Sequence, residues 1–309
     1  MKKYKPYLNR VDLVKNQVER EELQEQEAKR KRKQRIQEQN RQNHLRYQEQ
    51  LRSEMAARYF HAVQSTGGES NIFTNTKSLN FDGNDDFVDC GTATNLNFSA
   101  DDPFSVSVWF KKPSESSSRA LIGKSLNGTF NGAGWIFWTN GNLVHFRIRD
   151  TNINFHQIRD NNTHPLNTWV HYVVTYDGSR TGSGLGLNLY RDGNKLTGGA
   201  VQKSGNFISG TGQSSANLVI GARRTQQPGQ LITDLFHRGN IDDPAVFNSE
   251  LSLPDVQSIY NNGVPNNISS LSPISWWQFE GTGATATDSG TGGNDGTING
   301  ATRDTDVPS

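Results

Sequence analysis

The fold this sequence predicts is mainly β: a sandwich of short strands preceded by a long N-terminal α-helical arm. Three observations carry that reading. Residues 12–62 contain neither Pro nor Gly and are crowded with Glu, Gln, Lys and Arg, which are good helix formers. From about residue 72 onward Gly, Asn, Ser and Thr become abundant and apolar positions alternate between turn signals, as many short strands without intervening helices require. An apolar content of 32% over 309 residues is low, and it suits a loop-rich sandwich better than a helical core.

The arm, residues 1–63, carries most of the positive charge. Met1 to Phe60 hold sixteen Lys or Arg against nine Asp or Glu, while the whole chain is formally only +1. Leu13, Val14, Val18 and Leu23 form an apolar stripe at one end of it, and Leu45, Leu51, Met55 and Tyr59 form another at the other end, both at roughly helical spacing. Between Glu25 and His44 only Ala28 and Ile36 are apolar, so the unbroken heptads of a coiled coil are missing. The two stripes therefore read as partner-binding ends of a helix docked on other protein. The basic cluster Lys29 to Lys33 with Arg35 would suit phosphate contacts. It lacks interleaved aromatics and follows Glu19, Glu21, Glu22, Glu25 and Glu27, some at i to i+4 spacing, so nucleic acid is not expected. Residues 64–71, QSTGGESN, break the helix and read as a hinge.

Residues 72–309 read as the sandwich. Strands are expected at Ser78 to Phe81, Phe87 to Cys90, Phe104 to Lys111, Ala120 to Lys124, Gly134 to Thr139, Leu143 to Arg149, Ile153 to Ile158, Trp169 to Tyr176, Leu185 to Arg191, Leu218 to Gly221 and Ile241 to Phe247. In FSVSVWF, Phe104, Val106, Val108 and Phe110 share one face and Ser105, Ser107 and Trp109 the other. TWVHYVVTY is rich in large residues on both faces and should be central. Turns at Thr139 to Asn142 and Asp192 to Asn194 contain residues that accept positive φ. After the strand at Ile241, a short amphipathic helix follows, with Pro254 in its first turn and Asn261, Asn262 and Gly263 ending it.

Two stretches carry a family resemblance. SLNFDGNDDFVDCG, from Ser78 to Gly91, is similar to the opening "S-L-x-F-D-G-x-D-D-Y-V" of laminin-G-like and pentraxin-like domains of the concanavalin A-like lectin/glucanase superfamily. GNIDDPAVFNSELSLPDVQSIYNNG, from Gly239 to Gly263, resembles that family's closing strand and helix. The resemblance implies a concanavalin A-like jelly roll. The C-terminal ISWWQFEGTGATATDSGTGGNDGTINGA also resembles such domains, there found at their start. Either residues 274–301 pair into this sandwich, or they begin a repeat; the burial that Trp276, Trp277 and Phe279 need favours the first.

The resemblance also implies candidate sites. Several domains of this kind bind calcium, and Asp82, Asp85 and Asp86, together with Asp242 and Asp243, are the clusters of hard oxygen ligands that suit it; Asp beside Gly and Asn equally serves to fix turns. For a glycan, GWIFWTNGN supplies Trp135, Trp138, Asn140 and Asn142, whereas Trp109 and Trp169 read as core. Glycan-cleaving enzymes of the superfamily need paired carboxylates, and their "E-x-D-x-x-E" strand is absent; after the hinge only Glu115, Glu250 and Glu280 remain as glutamates. A non-enzymatic role is expected. GSGLGL at Gly182 to Leu187 leads into a strand, so it reads as a hairpin loop, not a phosphate loop.

Cys90 is the lone cysteine and reads as a small buried residue. No apolar run follows the basic N-terminus, and no stretch approaches the roughly 20 apolar residues of a membrane span. Together with the arm and the adhesion-type domain, these features lead to the expectation of a virion structural protein, as in marine phages, located at the virion surface. Its arm would dock on other virion proteins, its sandwich would meet a host-surface glycan, and it would assemble as a homo-oligomer. A bacterial carbohydrate-binding or adhesion protein is the alternative, and a glycoside hydrolase ranks behind it.

Overall fold

The computed structural model describes residues 73–113, 117–125, 133–150, 152, 154–180, 184–205, 216–227 and 230–309, with 27, 31 and 35 of the N-terminal segment. The chain divides into two compact units, Met1–Ile72 and Phe73–Ser309. In the first, Glu27, Lys31 and Arg35 have helical backbone, and Lys31 Nζ lies 2.7 Å from Glu27 Oε1. The apolar stripes Leu13, Val14, Val18, Leu23 and Leu45, Leu51, Met55, Tyr59, and with them docking on a virion or on other copies, fall outside the described residues.

The second unit is built from antiparallel strands: β1 (Ser78–Asp82), β2 (Phe87–Asp89), β3 (Phe104–Lys111), β4 (Ser118–Ser125), β5 (Gly134–Asn140), β6 (Leu143–Arg149), β7 (Phe155–Arg159), β8 (Val170–Tyr176), β9 (Leu187–Arg191), β10 (Asn194–Lys195), β11 (Ala200–Ser204), β12 (Leu218–Ile220), β13 (Arg223–Gln227), β14 (Gln230–Asp234) and β15 (Arg238–Phe247). Helix α1 (Leu253–Tyr260) follows, then β16 (Ser275–Trp276), β17 (Thr285–Ala286), β18 (Gly296–Asn299) and β19 (Thr302–Asp304). One sheet runs β10-β9-β8-β3-β15-β1-β19, with β16 also on β15; the other runs β11-β7-β6-β5-β4-β12-β2-β18-β17; β13 and β14 form a separate hairpin.

The alternation of β3 decides how the sheets face. Phe104, Val106, Val108 and Phe110 enter the main core, where they meet Trp135, Phe137, Val144, Phe146 and Ile148 of the second sheet. Phe104 stacks on Phe98 with ring centroids 4.3 Å apart, and Phe137 meets Phe146 edge-on at 5.4 Å. Both faces of β8 are buried, as its sequence requires: Tyr172, Val174 and Tyr176 face the core, while Val173 lies under α1. Cys90 is buried in the core.

Helix α1 lies on the outside of the first sheet. Ser252 caps it through a reciprocal capping box with Asp255, Pro254 lies in its first turn, and left-handed Asn261 (φ 42°) ends it. Its Val256 and Ile259 pack with Tyr190, Ala245, Phe247 and Trp276.

The C-terminal segment supplies strands to both sheets: β16 to β15, β18 to β2 and β19 to β1. Trp277 is fully buried among core residues and donates from Nε1 to Asn294 O at 2.9 Å. The regular strand is shorter than Ile274 to Phe279, because Trp277 makes only an isolated bridge to Asp288 and Phe279 has φ +60°. Strands β10, β11, β13, β14, β17 and β19 are additions to the sequence reading. β11, AVQKS, is an exposed edge and so has no apolar alternation to announce it.

Replacing Trp277 by Ala should cost about 3–5 kcal/mol, the range for emptying a buried aromatic site. Denaturant unfolding of the variant checks this. A loss under about 1 kcal/mol would mean that the C-terminal strands are dispensable.

Candidate functional site

A cleft of about 480 Å³ opens on the outside of the first sheet, where the C-terminal end of α1, the segment before β8 and the last residues of the chain converge. Its aromatic wall is built from distant parts of the sequence. Trp109, pointing outward from β3, stacks on His171 of β8 and Tyr260 of α1, with ring centroids 4.6 and 5.6 Å apart. Tyr260 approaches closely because residue 193 is glycine: at φ +73° a Cβ there would lie 2.9 Å from its ring. Trp169 is half-buried and donates from Nε1 to Asp306 Oδ1 at 2.9 Å; the other Asp306 oxygen pairs with Lys111 Nζ.

Polar groups complete the lining. Asn167, Thr168 and Asn262 are exposed, and Asp192 accepts the His171 backbone N–H at 3.0 Å, while burial pushes its carboxyl above the usual range. Trp109 Nε1 is buried with no hydrogen-bond partner. Across Lys111 and Asn167 lies a second hollow of about 420 Å³, lined by Asn80, Asp82, Arg238 and Asn240.

The residues proposed from sequence for a glycan do not form one site. Trp135 is 1% exposed and faces the core, so it presents no ring to a ligand. Trp138 points the other way; it is 4% exposed, packs with Ala120 and Ile136, and stacks on His145. Asn140 is exposed in the hairpin after β5, and Asn142 is half-buried. Period-two alternation already separates residues 135 and 138. Trp169, in turn, is not a core residue but part of the cleft.

The two aspartate clusters differ. Asp82, Asp85 and Asp86 at the β1–β2 turn bring one carboxylate oxygen each within 4.8 Å of one another. Asp82 accepts the Asn84 N–H at 2.8 Å and the Asn84 side chain at 2.9 Å, which hold its pKa down. Burial, opposed by the Asp82 N–H and reinforced by repulsion from Asp82 and Asp85, raises that of Asp86. Three converging carboxylates, two of them exposed, fit a hard divalent cation.

Asp242 and Asp243 belong to no such three-residue set among the described residues, because both are buried in structural work. They sit at a register shift in the β15–β3 pairing, Asp243 with φ +44°. Asp242 accepts the Asn75 side chain at 2.8 Å and the Asp243 N–H at 3.0 Å; Asp243 Oδ1 accepts Trp276 Nε1 at 2.6 Å. Burial, then repulsion from Asp243, pushes Asp242 up; burial, with repulsion from Glu280, pushes Asp243 up to about 8.

Nor does a catalytic pair emerge among the described residues. Ser107 Oγ lies 2.8 Å from His171 Nε2, a nucleophile-to-base distance, but both residues are sealed beneath the sheet's outer layer. Glu280 accepts from Thr76 and Lys77, and Glu250 from Thr175 and Asn188. Among the described residues no helix is long and apolar enough to cross a membrane.

The pair Asp242 and Asp243 makes stability depend on pH. The native state keeps a proton that the unfolded chain releases near pH 4, so the associated stability is fully present below about 4 and is lost as pH rises toward about 8. Thermal unfolding of the wild-type chain should show this decline between pH 5 and 8. Asp243→Asn should flatten it, and Asp243→Ala should cost about 1–3 kcal/mol at pH 5 by orphaning the buried Trp276 N–H; identical pH profiles for wild type and Asp243→Asn would contradict the assignment.

A family model described as the concanavalin A-like lectin/glucanases superfamily matches residues 82–257. No curated protein matches the sequence. Among solved structures, a protein from Bacteroides ovatus ATCC 8483 proposed to bind carbohydrate is similar at 18% identity and TM-score 0.54, over 76% of this chain and 62% of that one, so this chain spans less than two thirds of its length. The heptameric SAP-like pentraxin of Limulus polyphemus is similar at 12% identity and TM-score 0.41, over 61% of this chain and 83% of that one. The CBM40 of the Ruminococcus gnavus IT-sialidase, bound to α2,3-sialyllactose, is similar at 14% identity and TM-score 0.41, over 52% and 83%. The family match spans more than half of the chain and coincides with the two-sheet sandwich, and on that ground the protein belongs to the concanavalin A-like lectin/glucanase superfamily.

Proposed function

We propose that this protein binds carbohydrate without cleaving it, and that the cleft between Trp109, Trp169 and Tyr260 receives a neutral sugar. The observation that carries the reading is the pairing of aromatic faces with exposed amide and hydroxyl groups in one concave site. A pyranose has an apolar C–H face and a rim of hydroxyls. The half-buried rings of Trp169 and Tyr260 suit the first, and Asn167, Thr168 and Asn262 suit the second. Lys111 is neutralised by Asp306, so a charged sugar gains nothing there. The similarity to a Bacteroides protein proposed to bind carbohydrate supports this reading. Asp192 and Asp306 also line the cleft, but each already accepts hydrogen bonds from the protein, which favours binding over acid–base chemistry.

Screening the full chain on a glycan array and measuring the best neutral ligand by calorimetry tests the proposal. Trp169→Ala and Tyr260→Ala should each weaken binding at least about tenfold, as truncating a central aromatic anchor does, with the glycan recovered intact. Hydrolysis of the ligand, or unchanged affinity in both variants, would overturn it.

We infer further that Asp82, Asp85 and Asp86 hold calcium. Bound calcium would stabilise the native state by about 2.7 kcal/mol at a free concentration 100 times its Kd. A rise in Tm of several degrees on adding calcium should follow, reversed by a chelator and absent in Asp85→Asn. A Tm indifferent to both calcium and chelator would remove the inference.

A further inference from the structure

The five residues after β19, Thr305 to Ser309, leave the edge of the first sheet and run over its outer face. The strand order there is β3-β15-β1-β19, and by Asp306 the chain is in contact with β3. Every polar group of Asp306 is used. Its carbonyl accepts Ser78 Oγ of β1 at 2.7 Å, its N–H donates to Asp304 Oδ1 at 3.1 Å, and its two carboxylate oxygens take Trp169 Nε1 and Lys111 Nζ of β3. Asn240 of β15 steadies this group: its Nδ2 donates to Asp304 Oδ2 at 3.2 Å and to Ser78 Oγ at 3.0 Å. Beyond Asp306 the polar ties stop. Val307, Pro308 and Ser309 make no hydrogen bond or ion pair with any described residue; Pro308 is buried and Val307 half-buried.

These loosely tied residues belong to the aromatic cleft, which Val307 and Ser309 line together with Trp109, Trp169 and Tyr260. Lys111 and Asn167 line both that cleft and the neighbouring hollow. Asp306 therefore does two things with one carboxylate: it holds the segment down and it fixes the Lys111 side chain between the two cavities. The contact is weak for what it controls. Lys111 and Asp306 keep 27% and 38% of their side-chain surface in solvent, and an ion pair so exposed shifts an equilibrium by about fivefold at most. The hydrogen bonds from Ser78 and Trp169 add about fivefold each, and the entropy of the ordered segment opposes all three.

We propose that Thr305 to Ser309 form a releasable strap over the cleft, hinged at β19 and pinned by Asp306. Docked, the strap keeps Val307 and Ser309 in the cleft and Lys111 in the wall. Released, it frees Lys111, and the cleft of about 480 Å³ joins the hollow of about 420 Å³ in one groove across β3 that ends at Asn80, Arg238 and Asn240. The strap thus regulates the length of ligand received. A short ligand fits the docked form; a longer one binds only the released form, and its apparent affinity falls by the fraction of chains released. The selection by length rests on the sugar-binding reading of the cleft, whereas release of the strap does not.

Two measurements on the full chain separate these parts. Trp169 is half-buried while the other five tryptophans are 4% exposed or less, so acrylamide quenching reports on Trp169, and hydrogen exchange of its indole N–H reports on the bond to Asp306. Lys111→Gln leaves that bond in place, yet it should raise quenching and speed the exchange by up to about fivefold. High salt should do the same to the wild type and not to the variant, because screening removes the same ion pair. On the ligand side, calorimetry should show Asp306→Ala binding chitotetraose about tenfold more tightly than wild type and chitobiose equally. Quenching and exchange indifferent to salt and to Lys111→Gln would overturn the strap. Where the wild type binds chitotetraose, unchanged or weaker binding by Asp306→Ala would also overturn it, because the segment would then be a wall of the site and not its gate. Quenching and exchange that rise as expected, with neither sugar bound by any variant, would uphold the release and remove the sugar reading alone.

Discussion

The register shift in β15 is the constraint on which the rest of this structure depends. One edge of β15 pairs with β3 from Asn240 to Phe247; the other pairs with β1 over Arg238 to Ile241 and then with β16 at Ala245 and Val246. An uninterrupted strand would keep one partner along that edge. Asp243 and Pro244 together stand opposite one residue of β3, Val108, and this bulge, with Asp243 in the left-handed region, bends the strand so that β16 takes over from β1. The two aspartates then pin the incoming chain from both sides, Asp242 through Asn75 and Asp243 through Trp276. Because β16 leads into the segment that ends at β19 beside β1, the same bend places Asp306 against Trp169 and Lys111. A local irregularity in one strand therefore sets a wall of a cleft whose other parts come from β3 and α1.

Much of the sandwich was legible in the sequence, and the legible parts share a cause. β3, β6 and β8 bury one or both faces, so burial wrote period-two alternation into FSVSVWF, LVHFRIR and VHYVVTY. Where a strand buries neither face the signal vanishes. β11 is an exposed edge, so nothing demanded apolar residues at fixed intervals. The bulge was hidden for a related reason: Asp-Asp-Pro after an alternating strand reads as a turn or a ligand cluster, and only the arrival of Asn75 and Trp276 from remote positions shows that it is neither.

The site was less legible than the fold. The Asp82, Asp85 and Asp86 group lies within one turn, so sequence proximity and spatial proximity coincide. The aromatic cleft joins residues near positions 109, 169, 260 and 306, and no local pattern links them. Each tryptophan read alone was ambiguous, since its role follows from the phase of its strand and from what covers that face. Trp135 and Trp138 lie three residues apart on one strand, and the pleat sends them to opposite sides. Trp109 reads as core and is 2% exposed, yet the layer that covers it is α1, and the gap at the end of that helix is the cleft.

The buried acids and the clustered bases show how differently one chain handles like charges. Asp242 and Asp243 are crowded and desolvated, and a carboxylate in that position has a remedy: it takes up a proton, and the pair then carries less charge in the interior. Arginine lacks that remedy at neutral pH. Even pressed to about 10, the Arg147 guanidinium stays charged at pH 7, and its neighbours Arg149 and Arg159 lie on the same face. Stacking on Phe155 and Trp138 and the hydrogen bond to Gln157 offset part of the cost of holding the cation there. The acidic pair is complete within the chain once protonated. One chain thus settles crowded like charge in two ways, by taking up a proton at the acids and by stacking and hydrogen bonding at the arginine.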